Sequence, residues 1–188
     1  MRIVSGGLRG RRIPFVNKRY GNARVTTDFV KEAAFATLGP NLEGFLFLDL
    51  FAGSGQIGLE AWSRGADVIM NERDGRRYAF VKGLIEEWQI TDRMSLNRQN
   101  ALTLLSSPSF SGPIDIAYLD PPYHETTRGT PLALAALVAF ISSPLSAPQT
   151  RILVQHHESI VLPPNHEGFA QTRSKTYGET VLTTYAFQ

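Results

Sequence analysis

The chain has no cysteine. A disulfide framework and thiolate metal sites are thereby excluded, and a cytoplasmic location is expected. Long apolar runs are missing too. The stretch 131–141 is the most apolar, and it falls well short of the roughly 20 residues a membrane helix needs. Met1-Arg2 leads into glycines and arginines, so no secretory signal is expected. The four histidines, His124, His156, His157 and His166, show no ligand spacing, and no metal site is expected. No serine–histidine–carboxylate arrangement can be assembled. Acidic residues are absent before Asp28, whereas Arg2, Arg9, Arg11, Arg12, Lys18, Arg19 and Arg24 all precede it. The overall charge is only +2, so this basic arm is a local feature, suited to a polyanion.

What is present is organised around residues 48–58, Leu-Asp-Leu-Phe-Ala-Gly-Ser-Gly-Gln-Ile-Gly. The left half reads as a buried strand and the right half as a glycine loop entering a helix. Such a loop lets a ligand approach the main chain, and the helix start adds unpaired N–H groups. Gly53-x-Gly55-x-x-Gly58 satisfies the dinucleotide fingerprint, which alone is a weak signal.

Around it the chain alternates. A hairpin of short extended pieces is expected over residues 2–15, and a polar loop over 16–23. Thr26 or Thr27 caps a helix to Leu38, stopped by Gly39-Pro40. Helices are expected over 56–64, 75–89, 102–106 and 132–142. Strands are expected near 45–49, 67–71, 94–99, 114–119 and 151–155, and a terminal hairpin over 169–175 and 180–187. Residues 124–130 read as a polar loop. The pattern predicts an α/β fold, an open sheet with helices on both faces. One catalytic-sized domain over 26–188 is expected to carry an N-terminal extension, residues 1–25.

In such sheets ligands bind beyond the carboxyl ends of the strands. Asp49 with its loop, Glu72, Asn100 and the run 120–123 all fall at such ends. Glu72 suits a ribose diol. Asp49 would repel a pyrophosphate but suits the cationic end of S-adenosylmethionine. Asn100 either reads an adenine edge or caps a loop. Asp120-Pro121-Pro122-Tyr123 is the sharpest signal. The Asp120 carboxylate and a stiffened Pro121 carbonyl can accept both hydrogens of a base's exocyclic amine, and Tyr123 can stack on the base. The plainer alternative is a strand terminator with a surface carboxylate.

These residues resemble the RsmD-type 16S rRNA guanine-N2 methyltransferases over essentially the whole chain. Arg2-Ile3-Val4-Ser5-Gly6-Gly7 with Arg9-Gly10-Arg11-Arg12 resembles that family's N-terminal segment. Arg24-Val25-Thr26-Thr27-Asp28 with Val30-Lys31-Glu32 resembles its next stretch, where Val25 and Lys31 depart from the family's proline and arginine. Asp49, Phe51, Ala52, Gly53, Ser54, Gly55 and Gly58 match its cofactor loop. Glu72 and Asn100-Ala101 match its ribose and adenine positions. Lys175-x-Tyr177-Gly178-x-Thr180 fits near the end.

The resemblance implies a Rossmann-like class I methyltransferase with a mixed seven-stranded sheet, using S-adenosyl-L-methionine. It implies methylation of guanine N2 in 16S rRNA or the assembling small subunit, by a protein expected to be monomeric. Arg2, Arg9, Arg11, Arg12, Arg24, Thr26, Lys31, Lys175 and Tyr177 are the expected RNA contacts. An adenine-N6 methyltransferase, a nicotinamide oxidoreductase and a non-catalytic rRNA assembly module remain the alternatives.

Overall fold

The first central strand, β1 (Leu46–Asp49), is buried along its last three residues, as a strand covered on both faces must be. The structure is a computed structural model that describes residues 1–20, 26–110 and 112–188. It divides into two compact units, Met1–Gln99 and Asn100–Gln188. The boundary expected near residue 25, and with it Arg24 and Val25, lies outside the described residues.

In the first unit β1 pairs in parallel with β2 (Asp67–Asn71), Leu46 opposite Asp67 and Asp49 opposite Met70. β2 pairs in parallel with β3 (Met94–Asn97). The short α1 (Asn17–Tyr20) stands where a polar loop was expected. The Tyr20 ring packs 5.2 Å from Phe15 and 4.6 Å from Phe80, an aromatic contact that local polarity does not announce. α2 (Asp28–Leu38) begins at Thr27, whose hydroxyl accepts from Val30 N–H, and ends at Gly39. α3 (Gln56–Ser63) follows β1, and α4 (Gly75–Glu87) follows β2. Asp74 caps α4 by accepting from Arg76 and Arg77 N–H, which with the nearby arginines holds its carboxyl below the usual range.

Residues 1–13 fold back on themselves through one antiparallel bridge, Arg2 opposite Arg12. Ile3 N–H donates to Arg11 O at 2.9 Å, and Ile13 N–H to Met1 O at 3.2 Å. Ile3, Leu8 and Ile13 are buried, so the arm's apolar side belongs to this unit's core while its arginines face water.

In the second unit α5 (Ala101–Ser106) precedes β4 (Ile116–Leu119), which is buried throughout. β7 (Arg151–His157) runs parallel to β4, and β10 (Thr180–Phe187) runs antiparallel to β7. β9 (Phe169–Tyr177) completes the expected terminal hairpin, turning at Gly178 with φ 63°. A two-residue β8 (Asn165–His166) extends the edge beyond β9. The apolar α6 (Leu132–Ile141) lies between β4 and β7 in sequence.

The polar stretch after Tyr123 is more ordered than its composition suggests. β5 (Thr126–Thr127) and β6 (Thr130–Pro131) form a small hairpin. Its turn places Arg128 at φ 50° and Gly129 at φ 81°. Two successive positive φ values are the two-residue turn that matches strand twist.

Candidate active site: a glycine-loop cradle and an acidic proline motif

The loop between β1 and α3 is held from inside by side chains that the strand ends supply. Gly53 and Gly55 have φ of 55° and 77°, a region that a side chain disfavours. A Cβ on Gly53 would meet nothing nearer than Phe51 O at 3.9 Å, so the loop's inner edge is bare backbone. Gly58 serves packing instead. A Cβ there would fall 2.6 Å from Met70 Cγ, so helix and strand approach as closely as they do only without one.

Asp49 is buried, and its Oδ2 accepts the Gly58 N–H at 3.0 Å. The carboxylate thus ties the end of β1 to the first turn of α3. Ala52 N–H donates to Asn71 O at 2.9 Å, and Ser54 Oγ lies 3.4 Å from Met1 Sδ. Phe51 is half-buried beside them.

Glu72, expected to grip a ribose, is buried and already engaged. Its Oε2 accepts from Gly53 N–H at 2.8 Å, and its Oε1 accepts from Asp74 N–H at 2.8 Å and Arg77 Nη2 at 3.1 Å. One carboxylate therefore links the glycine loop, the turn after β2 and α4. A carboxylate has about four acceptor directions, and three are taken here, so one is left for a single ribose hydroxyl.

Two further residues of the cradle carry no sequence motif. Asn71 Nδ2 donates to Leu50 O at 3.2 Å and Gln99 O at 3.1 Å, while its Oδ1 accepts from Gln99 N–H at 3.1 Å. This buried amide staples the ends of β1 and β2 to the segment after β3. Gln56 is also buried, and donates from Nε2 to Thr26 O at 2.6 Å. A lone Asn or Gln reads as surface in sequence, and only its position at a strand or helix end hints otherwise.

In the second unit Asn100 caps α5. Its Oδ1 accepts from Leu102 and Thr103 N–H at 2.9 and 3.3 Å, beside the buried Ala101. Of the two roles considered for Asn100, the cap is the one its carbonyl performs here.

Asp120 follows β4 directly and is half-buried, with Pro121 buried and Pro122 exposed. Pro122 O accepts from Glu125 N–H at 3.1 Å and closes the turn that leads to the small hairpin. Tyr123 Oη accepts from Gln155 Nε2 at 3.3 Å. Its ring stands edge-on to His157, centroids 5.8 Å apart at 68°.

The expected RNA residues divide. Arg2, Arg9, Arg11 and Arg12 are exposed, and the Arg11 guanidinium lies 5.2 Å from the Trp88 ring centroid. Lys175 is exposed with its ammonium 5.3 Å from the Tyr177 ring centroid. Lys31 and Thr26 are buried. Lys31 is turned inward, where its ammonium donates to Arg2 O and lies 3.6 Å from Glu60 Oε2. Thr26 presents its carbonyl to Gln56.

Over residues 1–186 the sequence matches a family model described as "Conserved hypothetical protein 95". The chain belongs to this family. It is 33% identical over 192 residues to "Putative rRNA methyltransferase YlbH" of Bacillus subtilis, covering 98% of both chains. It is 37% identical to "Ribosomal RNA small subunit methyltransferase D" of Buchnera aphidicola, over 65% of this chain and 63% of that one. Among solved structures it resembles "Putative methyltransferase yhhF from Escherichia coli", with TM-score 0.81, 26% identity and coverage of 100% and 98%. The chain thus has a class I Rossmann-like methyltransferase fold, a mixed multi-stranded sheet flanked by helices.

Proposed function

We propose that the protein transfers a methyl group from S-adenosyl-L-methionine to the exocyclic N2 amine of a guanine in 16S rRNA. The observation that carries this reading is Asp120-Pro121-Pro122-Tyr123 at the carboxyl end of a buried parallel strand, in a chain related to rRNA methyltransferases. A glycine loop with a bare backbone edge, also at a strand's carboxyl end, supports it.

Asp49, Phe51, Ala52, Gly53, Ser54, Gly55, Gly58 and Glu72 would hold the cofactor, with Asn100 and Ala101 beside its adenine. When bound, it supplies a methyl group already activated on a sulfonium. The chain's own residues then have little covalent work to do. The Asp120 carboxylate and Pro121 carbonyl accept the two hydrogens of the guanine amine, which aims the nitrogen lone pair. Tyr123 covers the base and excludes water. Transfer would break the methyl–sulfonium bond and leave a neutral thioether as the carbon–nitrogen bond forms; the amine would then carry a surplus proton, which Asp120 would take. Guanine N2 is a weak nucleophile, so alignment must supply much of the acceleration. Arg2, Arg9, Arg11 and Arg12 hold backbone phosphate, a contact that weakens with salt.

The test is transfer of tritiated methyl to immature small subunits, naked 16S rRNA and DNA, followed by nucleoside analysis. N2-methylguanosine is expected. Labelled N6-methyladenosine, or label confined to DNA, would sink the reading, and no label in any substrate would favour an assembly module.

A further inference from the structure

Gln155 lies in β7, and both ends of its buried amide are occupied by phenols. Tyr118 Oη donates to its Oε1 at 2.7 Å, and its Nε2 donates to Tyr123 Oη at 3.3 Å. Tyr118 is fully buried in β4, opposite Leu153. Side chains two residues apart along a strand share a face, so Leu153, Gln155 and His157 point the same way as Tyr118. Two of these β7 residues reach Tyr123. Gln155 meets its hydroxyl, and the His157 ring meets its ring at 5.8 Å.

We propose that Gln155 is a positioning residue for methyl transfer, acting through Tyr123. The inference rests on the reading of Tyr123 as the platform for the target base. The buried Tyr118 hydroxyl fixes which way the amide faces, because it holds Oε1 and leaves Nε2 directed at Tyr123. The tyrosine ring is then gripped at its tip by Gln155 and along its side by His157. Holding one rotamer of this half-exposed ring in advance lowers the ordering needed when the base arrives. Neither Gln155 nor Tyr118 needs to touch substrate for this.

The test compares four proteins in steady-state methyl transfer to small ribosomal subunits: wild type, the double variant Tyr118→Phe with Gln155→Leu, Tyr123→Phe, and all three changes together. Removing both polar partners of similar shape avoids stranding a buried hydroxyl. The double variant is expected to lose about fivefold to tenfold in kcat, the worth of one hydrogen bond, with KM for the cofactor unchanged. In the Tyr123→Phe background the same pair of changes is expected to cost nothing further, which a merely structural role would not produce. Tyr118→Phe alone, which lets the amide turn, is expected to lose part of kcat under the same cycle and serves if the double variant does not fold. Wild-type kcat in these variants, or an undiminished loss on top of Tyr123→Phe, overturns the inference while N2-methylguanosine formation by wild type keeps the functional reading intact. A wild-type enzyme that makes no methylguanosine overturns both.

Discussion

Lys31 and Glu60 form a buried ion pair, Nζ to Oε2 3.6 Å, in which both side chains are all but excluded from water. Glu60 also accepts Val4 and Ser5 N–H at 2.8 and 3.1 Å, and Arg64 Nη2 at 2.9 Å. One carboxylate on α3 therefore fastens the N-terminal arm and balances two cations. Charges taken out of water are tolerated only when paired in this way.

Replacing Glu60 by alanine leaves Lys31 and Arg64 without their common partner and frees the arm's backbone. The expected loss of unfolding free energy is about 3 kcal/mol or more, measured by urea denaturation. Limited proteolysis should then cut within the first 13 residues sooner than in wild type. A variant as stable as wild type, with the arm still protected, would show that the pair contributes nothing net.

His156 gives the fold a pH dependence. Its Nδ1 lies 3.0 Å from His157 O, which can only accept, so Nδ1 carries the proton and Nε2 accepts from the Thr183 hydroxyl at 2.9 Å. Burial pushes the imidazole below its ordinary value of 6.5, outweighing the bond to His157 O. As pH falls through 6.5 the unfolded chain takes up a proton that the folded chain still refuses. Stability from this group is therefore full above that pH and declines as the solution is acidified. Urea midpoints should fall between pH 7 and pH 5, and His156→Gln should flatten that fall. An unchanged slope in the variant would assign the acid sensitivity elsewhere.

The elements that organise the fold were legible because their signals are local. The apolar run into Asp49, the glycines after it, and Thr27 and Gly39 around α2 each act within a few residues, and each stands where expected. The interior polar groups were not. Lys31 was expected as an RNA contact, since such residues are seldom fully buried, and its pairing with Glu60 joins α2 and α3 while both also bond the arm's backbone. Asn71 gains meaning only when three strand ends converge on its amide. Asn100 fitted both a cap and a base contact in sequence, and local geometry decided what its carbonyl does.

Gly55 offers a test of the cradle that deletes no polar group. Its φ of 77° strains any side chain, and a Cβ would press on Val81 Cγ2 at 3.1 Å. Gly55→Ala is expected to cost about 1–3 kcal/mol of stability. It should also weaken cofactor binding by about tenfold as the loop shifts away from Glu72, read by isothermal titration. Unchanged affinity would mean that the loop's inner edge is not where the cofactor lies.

Asp120 separates binding from chemistry. The carboxylate stands directly after β4 and is assigned to the target amine, whereas the cofactor is assigned to the glycine loop and Glu72. Asp120→Asn keeps size and one acceptor oxygen but removes the negative charge that draws the amine hydrogen. It also removes the group that takes the surplus proton. Methyl transfer should therefore fall by about a hundredfold to ten-thousandfold, the range of a lost acid–base group. The Kd for adenosylmethionine should stay within about threefold, because binding there involves none of the same atoms. A variant that loses both in equal measure would mark Asp120 as part of the cofactor's seat, and one that keeps wild-type turnover would leave the amine to be oriented by something else.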